Sequence, residues 1–254
     1  MNIVKSALLA CVLLANTPSW ADTAVGPGGA RDPYESINRG TWSLNYDYLD
    51  HYALRPAVHA YVRWVPSPVR TGIGNVTSNI NEANYFVNNL LIGRVADSGA
   101  SVFRFAVNST VGLLGFFDVA HHMGVDQRPM SMSTVLGKAQ MEQGAYIMVP
   151  LMGPTTMRGL IGSTIDSLYF PYANLSLGTR LGIAAVDGFS KRARVINQEA
   201  VLDNSLDPYV SAKDFYLQYE ENKVQNGAKK QATPASKPES SDEALHQYMD
   251  EIDK

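Results

Sequence analysis

Cysteine is almost absent from this chain: Cys11 is the only one in 254 residues. A disulfide-stapled scaffold is therefore excluded. Charge is scarce too, since Asp, Glu, Lys and Arg make up 18% of the residues against an average of about a quarter. With a net charge of −3 and no dense Lys/Arg run, the chain carries no electrostatic footprint for nucleic acid. It also lacks any apolar run of the roughly twenty residues that a membrane-spanning helix needs. Catalytic signatures are missing as well. Gly162-Ser163-Thr164 lacks the second glycine of a nucleophile elbow, and His121 and His122 are adjacent with no HExxH partner. Nothing points to a metal or a cofactor, and the chain does not read as an enzyme.

What is present is apolar: hydrophobic residues are 45% of the whole. They are densest around Arg104–Ala120, and above all in VGLLGFF at Val111–Phe117, which has no polar side chain and is interrupted only by Gly112 and Gly115. Glycines at that spacing disfavour a regular helix interior, each costing about 1 kcal/mol relative to Ala. Two readings stand: a buried loop or strand of a core, or a surface that meets lipid.

The N-terminus reads as a secretory signal peptide over residues 1–21. It has a basic start, an apolar centre at Ser6–Ala15, and Ser19 and Ala21 in the −3 and −1 positions of a cleavage site. The mature chain is expected to begin at Asp22. The alternative is a cut before Cys11, where Leu8-Leu9-Ala10-Cys11 fits the pattern of lipidated proteins.

Residues 22–31 read as a flexible lead, and short helices follow. Asp32-Pro33-Tyr34-Glu35 predicts a capped helix start running to about Leu49, and a second helix is expected from Pro56 to Val65. Val69, Ile73, Val76 and Ile80 fall on one helical face, and Asn81–Ile92 repeats the pattern up to a stop at Gly93. Asp97 is expected to cap the helix that leads into the apolar stretch. Ala120–Pro171 reads as irregular with short helices; Tyr146–Met152 is taken as extended or a helix end because of Pro150 and Gly153-Pro154. Helices return at Thr179–Asn197 and from Asp207-Pro208. Residues 225–241 read as a flexible linker and 242–254 as a short acidic tail able to form a helix. Several polar residues lie beside apolar helix positions, where they must be paired or line something wet.

At this point the residues resemble a known family. The blocks are DPYESINRGTWSLNYDYLD at Asp32–Asp50, Val65–Arg70, Asn75–Glu82, Asn88–Leu91, Arg104–Gly112 and Pro150–Pro154. Taken in this order over residues 32–224, they are similar to the signature blocks of the MlaA/VacJ family. The resemblance implies a mainly α fold with little or no β, a ring-like assembly of short amphipathic helices in the periplasmic leaflet of the outer membrane. It also implies phospholipid as cargo, a trimeric porin and a periplasmic lipid-carrier protein as partners, and no cofactor. The function it implies is removal of mislocalised phospholipid from the outer leaflet through a central channel.

On this basis Asn108, Thr110, Val111, Leu113, Leu114, Phe116 and Phe117 are candidates for lipid contact or channel lining. Asp32, Pro33, Asn38, Arg39, Asn79, Glu82, Asn88, Arg104, Gly153 and Pro154 are family-motif residues expected to be structural. Cys11 is the candidate lipidation site. The chain departs from the family pattern at Ser133–Gly137, Gly144–Tyr146 and Arg158-Gly159. Competing readings are an envelope lipid hydrolase using Ser109, Ser133 or Ser163 with His121 or His122, and a soluble periplasmic interaction protein.

Overall fold

The computed structural model describes residues 32–169 and 171–226. The expectations for the signal peptide, Cys11, the lead, and the linker and tail beyond residue 226 lie outside them.

Helix α1 (Glu35–Trp42) runs without a break through a π-helical segment (Ser43–Leu54) into α2 (Arg55–Trp64). The two helices expected here are thus one continuous rod. Pro56 does not break it. The wider turns immediately before it, with Arg55 N–H donating to the Asp50 carbonyl, relieve the clash its ring makes in an α-helix. Asp32 does not cap α1. Its buried carboxylate accepts instead from Asn38 Nδ2 at 2.9 Å, Tyr209 Oη at 2.6 Å and Lys213 Nζ at 3.0 Å, tying the start of the described residues to their last helix.

Helix α3 (Ser67–Leu91) merges the two periodic stretches that follow, and Gly93, with φ +75°, ends it as expected. In α4 (Val95–Thr110) the cap position is Arg94. Asp97 falls inside the first turn and pairs with Arg94 and Arg128. Short helices α5 (Val119–His122) and α6 (Met132–Lys138) come next.

Tyr146–Val149 is a strand, β1, paired antiparallel with β2 (Gly153–Thr156), contrary to the extended or helix-end reading. The prolines are tolerated because the ladder has only two strands. Pro150 falls in the turn, and Asn38 acts as a third strand, donating to the Tyr146 carbonyl and accepting from Met148 N–H. Asn45 does the same for the Val149 carbonyl and Leu151 N–H. Thr156 then caps α7 (Met157–Asp166), and Ser176 caps α8 (Leu177–Arg194). The described residues close with α9 (Glu199–Asp203) and α10 (Pro208–Asn226), the latter reaching two residues into the stretch read as linker. Apart from one small hairpin, the regular structure of the described residues is helical.

Its polarity is inverted. Among the described residues eight hydrophobic side chains are buried against twenty polar or charged ones. Tyr146, Met148, Tyr209 and Leu217 form a small apolar core where the hairpin meets α10. Elsewhere the stripes that face inward are polar. In α3 they are Gly72, Gly74, Thr77, Asn79, Glu82, Asn84, Asn88 and Asn89, and in α4 Ser98, Ser101, Arg104 and Asn108. Val95, Val102 and Phe103 of α4, and Leu177, Leu181 and Val186 of α8, point out. No helix among the described residues is long and apolar enough to cross a membrane.

Candidate functional site

Polar residues of α3 and α4, with residues of α2 and α8, line a cavity of about 420 Å³. Its inner end is built on Arg104, buried on α4. The guanidinium donates through Nε to Glu82 Oε1 (2.6 Å), through Nη2 to Asp118 Oδ2 (2.9 Å) and through Nη1 to the Val125 carbonyl (2.7 Å). Burial pushes the Glu82 carboxyl up, with Arg104 opposing it. Burial also acts to raise Asp118, but there the bonds from Arg104 and Asn108 prevail and hold it below the usual carboxylate range. Asn108 donates to Asp118 Oδ1 at 3.0 Å and accepts from Ala120 N–H. The carboxylate that ends the apolar loop is thereby locked to α4 and also caps α5.

The loop after α4 adjoins the cavity, flanked by the lining residues Asn108 and Asp118, and forms an apolar rim. Val111, Leu113, Leu114 and Phe117 are exposed, Leu114 at 74%. This excludes the buried-core reading of Val111–Phe117. Exposure is held in place by polar contacts beneath. Asn79 Nδ2 reaches Ser109 Oγ at 2.9 Å and the Leu114 carbonyl at 3.4 Å, and Asn75 Nδ2 reaches the Phe116 carbonyl at 3.3 Å. Leu113 and Leu114 have φ of 51° and 58°, a left-handed turn that swings both side chains outward. Gly115 (φ +93°) lies flat on Asn79, where an added Cβ would come within 2.4 Å of that side chain. Phe116 alone turns in, its ring laid over Gly72.

Of the expected lipid-contact residues, then, Val111, Leu113, Leu114 and Phe117 share one exposed rim. Phe116 and Asn108 anchor it, and Thr110 turns away, its hydroxyl donating to the Ala106 carbonyl. Of the family-motif residues, Asn79 and Arg104 line the cavity and Glu82 supports it. Asn88 lies beyond, donating to Asp166 and the Met130 carbonyl. Asp32, Asn38 and Arg39 join α1 to the hairpin and α10. Arg39 forks onto Asp207 and stacks 4.5 Å above the Tyr209 ring. Pro33 is exposed, and Gly153 and Pro154 belong to β2.

His121 bonds Asp126 and His122 the Asp118 carbonyl. Ser109 is held by Asn79, Ser133 donates to Glu220, and Ser163 donates to its own helix. Sequence reasoning overlooked Arg70 and Arg194, which line the outer part of the cavity. Arg70 lies one turn before Gly74, on a face of α3 whose inward direction only the structure reveals.

Comparison with known proteins agrees with this architecture. Residues 30–223 match the family model described as MlaA lipoprotein. The chain belongs to the MlaA lipoprotein family. The intermembrane phospholipid transport system lipoprotein MlaA of Haemophilus influenzae is 30% identical over 232 residues, 88% of this chain and 91% of that protein. The Escherichia coli K12 protein of the same name is 31% identical over 201 residues, 78% and 80% of the two chains. A solved structure bearing on the maintenance of bacterial outer membrane lipid asymmetry superposes with a TM-score of 0.70 at 33% identity. The match covers 75% of this chain and 97% of that one. The MlaA fold therefore accounts for the mainly helical architecture.

Proposed function

We propose that this chain carries out intermembrane phospholipid transport, the task its relatives are named for. In this reading it takes mislocalised phospholipid from the outer leaflet of the outer membrane, passes it through the polar cavity, and releases it to a periplasmic lipid-carrier protein. One observation carries the reading: a hydrogen-bonding cavity adjoins a loop of exposed apolar side chains, which is tied to the cavity lining through Asn75 and Asn79. A phospholipid has the same two parts, a headgroup that needs polar partners and chains that need to stay out of water. The outward apolar faces of α4 and α8 support a seat among acyl chains in the periplasmic leaflet, with helices lying in the leaflet rather than crossing it. A ring-like arrangement around the cavity and association with a trimeric porin belong to the same proposal. The test is complementation. In a strain lacking its own family member, the wild-type chain is expected to lower phospholipid exposed at the cell surface. Surface phospholipid that stays as high as in the empty strain, with the chain folded and in the outer membrane, contradicts the proposal.

A further inference from the structure

The outer part of the cavity holds two cations without counter-ions. Arg70 comes from the first turns of α3 and Arg194 from the last turn of α8. Neither side chain has a hydrogen-bond or ion-pair partner among the described residues, and Arg70 Nε is buried with none. The contrast with other arginines of the chain is sharp. Arg104 is fully engaged by Glu82, Asp118 and a carbonyl, Arg192 by Asp50 and Glu199, and Arg55 by Asp50 and Asp203.

Both guanidinium groups line the same cavity, and a glycine seats one of them. Arg194 Nη2 lies 2.8 Å from where a Cβ on Gly74 would be, so it crosses α3 at a position that no side chain occupies. Gly74 is four residues after Arg70, on the same helix face and one turn away. Around the pair the lining is neutral and hydrogen-bonding: Ser67, Thr71, Ser78 and Ser190. The one carboxylate that lines the cavity, Asp118, is already held by Arg104 and Asn108.

We propose that Arg70 and Arg194 form a clamp for the phosphodiester of a phospholipid headgroup, and so select cargo by its phosphate while the 111–117 rim accepts its chains. The inference rests on the transport reading and assigns the headgroup subsite within it. Guanidinium forks match phosphate oxygens in geometry, and two of them in a partly enclosed site neutralise one anion with polar hydroxyls to spare. A lipid with no phosphate offers neither cation an anion and leaves the buried Arg70 Nε without a partner, which makes the site discriminating.

The experiment titrates the detergent-solubilised full chain, followed by native mass spectrometry, with phosphatidylglycerol, diacylglycerol of the same acyl chains, and inorganic phosphate. The wild type is expected to hold phosphatidylglycerol at least tenfold more tightly than diacylglycerol. Arg70→Gln with Arg194→Gln should lose at least tenfold for phosphatidylglycerol and leave diacylglycerol unchanged, with circular dichroism as in wild type. The doubly Lys-substituted chain should recover part of the loss. Inorganic phosphate binding as tightly as the lipid would assign the clamp to a free anion and overturn the headgroup role. Undiminished phosphatidylglycerol binding by the Gln variant, with surface phospholipid still cleared in cells, overturns the clamp and leaves the transport reading standing. A wild type that holds neither lipid removes both.

Discussion

Arg104 is the residue on which the charge balance of the cavity's inner end turns. It is flanked by two carboxylates, and its own side chain is only 4% exposed. Arg104→Met strips Glu82 and Asp118 of their common counter-ion, and a broken buried pair costs about 3–5 kcal/mol. Thermal denaturation should record a large drop in Tm, whereas an unchanged Tm would mean the network adds nothing to the fold. Gly115 makes a different kind of demand, for a left-handed backbone pressed against Asn79. Gly115→Ala is expected to cost about 1–3 kcal/mol through strain and overpacking, and to loosen the rim without reducing helical content by circular dichroism. We further propose that the chain is cut after Ala21, on the small residues Ser19 and Ala21. An intact mass matching a mature chain from Asp22 is expected, and a diacylglyceryl adduct on Cys11 would contradict it.

At the scale of elements, the C-terminal helices are pinned to the rest by charge. Asp207 takes the fork of Arg39, and Asp203 takes that of Arg55, joined by the Tyr46 hydroxyl. Bonds from Arg39 lower the Asp207 carboxyl, and bonds from Arg55 and Tyr46 lower Asp203. A carboxyl lowered in the folded state stabilises it above the ordinary carboxylate range, and that contribution is lost as pH falls through the folded value. Stability should therefore decline from about pH 4 downward. Asp207→Asn should flatten part of this slope, read from melting curves across the acid range.

The elements themselves were largely legible in the sequence. Pro208, Gly93 and the four-three-four spacing of Val69, Ile73, Val76 and Ile80 marked helices correctly. Periodicity could not tell which face of α3 turns inward, since the rule that apolar faces are buried assumes water outside. Nor could local signals find β1. Its ladder with β2 is local, but its other edge is held by Asn38, more than a hundred residues earlier in the chain. The rim was identified as the apolar stretch to watch, but its outward turn depends on Asn75 and Asn79, which are remote in sequence. Arg70 and Arg194 escaped notice because free cations look like paired ones until their surroundings are known.

For the molecule as a whole, inverted polarity is the main physical fact. A chain that buries asparagines and serines while displaying leucines and valines is arranged for surroundings poorer in water than a typical soluble domain meets. Its interior polar groups then serve two purposes, holding helices together and lining the cavity. The claim that joins these is that the 111–117 rim meets lipid, and Leu114→Asp tests it most directly. Because Leu114 is exposed, the variant should keep its helical content and Tm in detergent while surface phospholipid rises toward the level of a strain without the protein and membrane retention weakens. A variant that melts far below wild type, or one that clears surface phospholipid as wild type does, would contradict it.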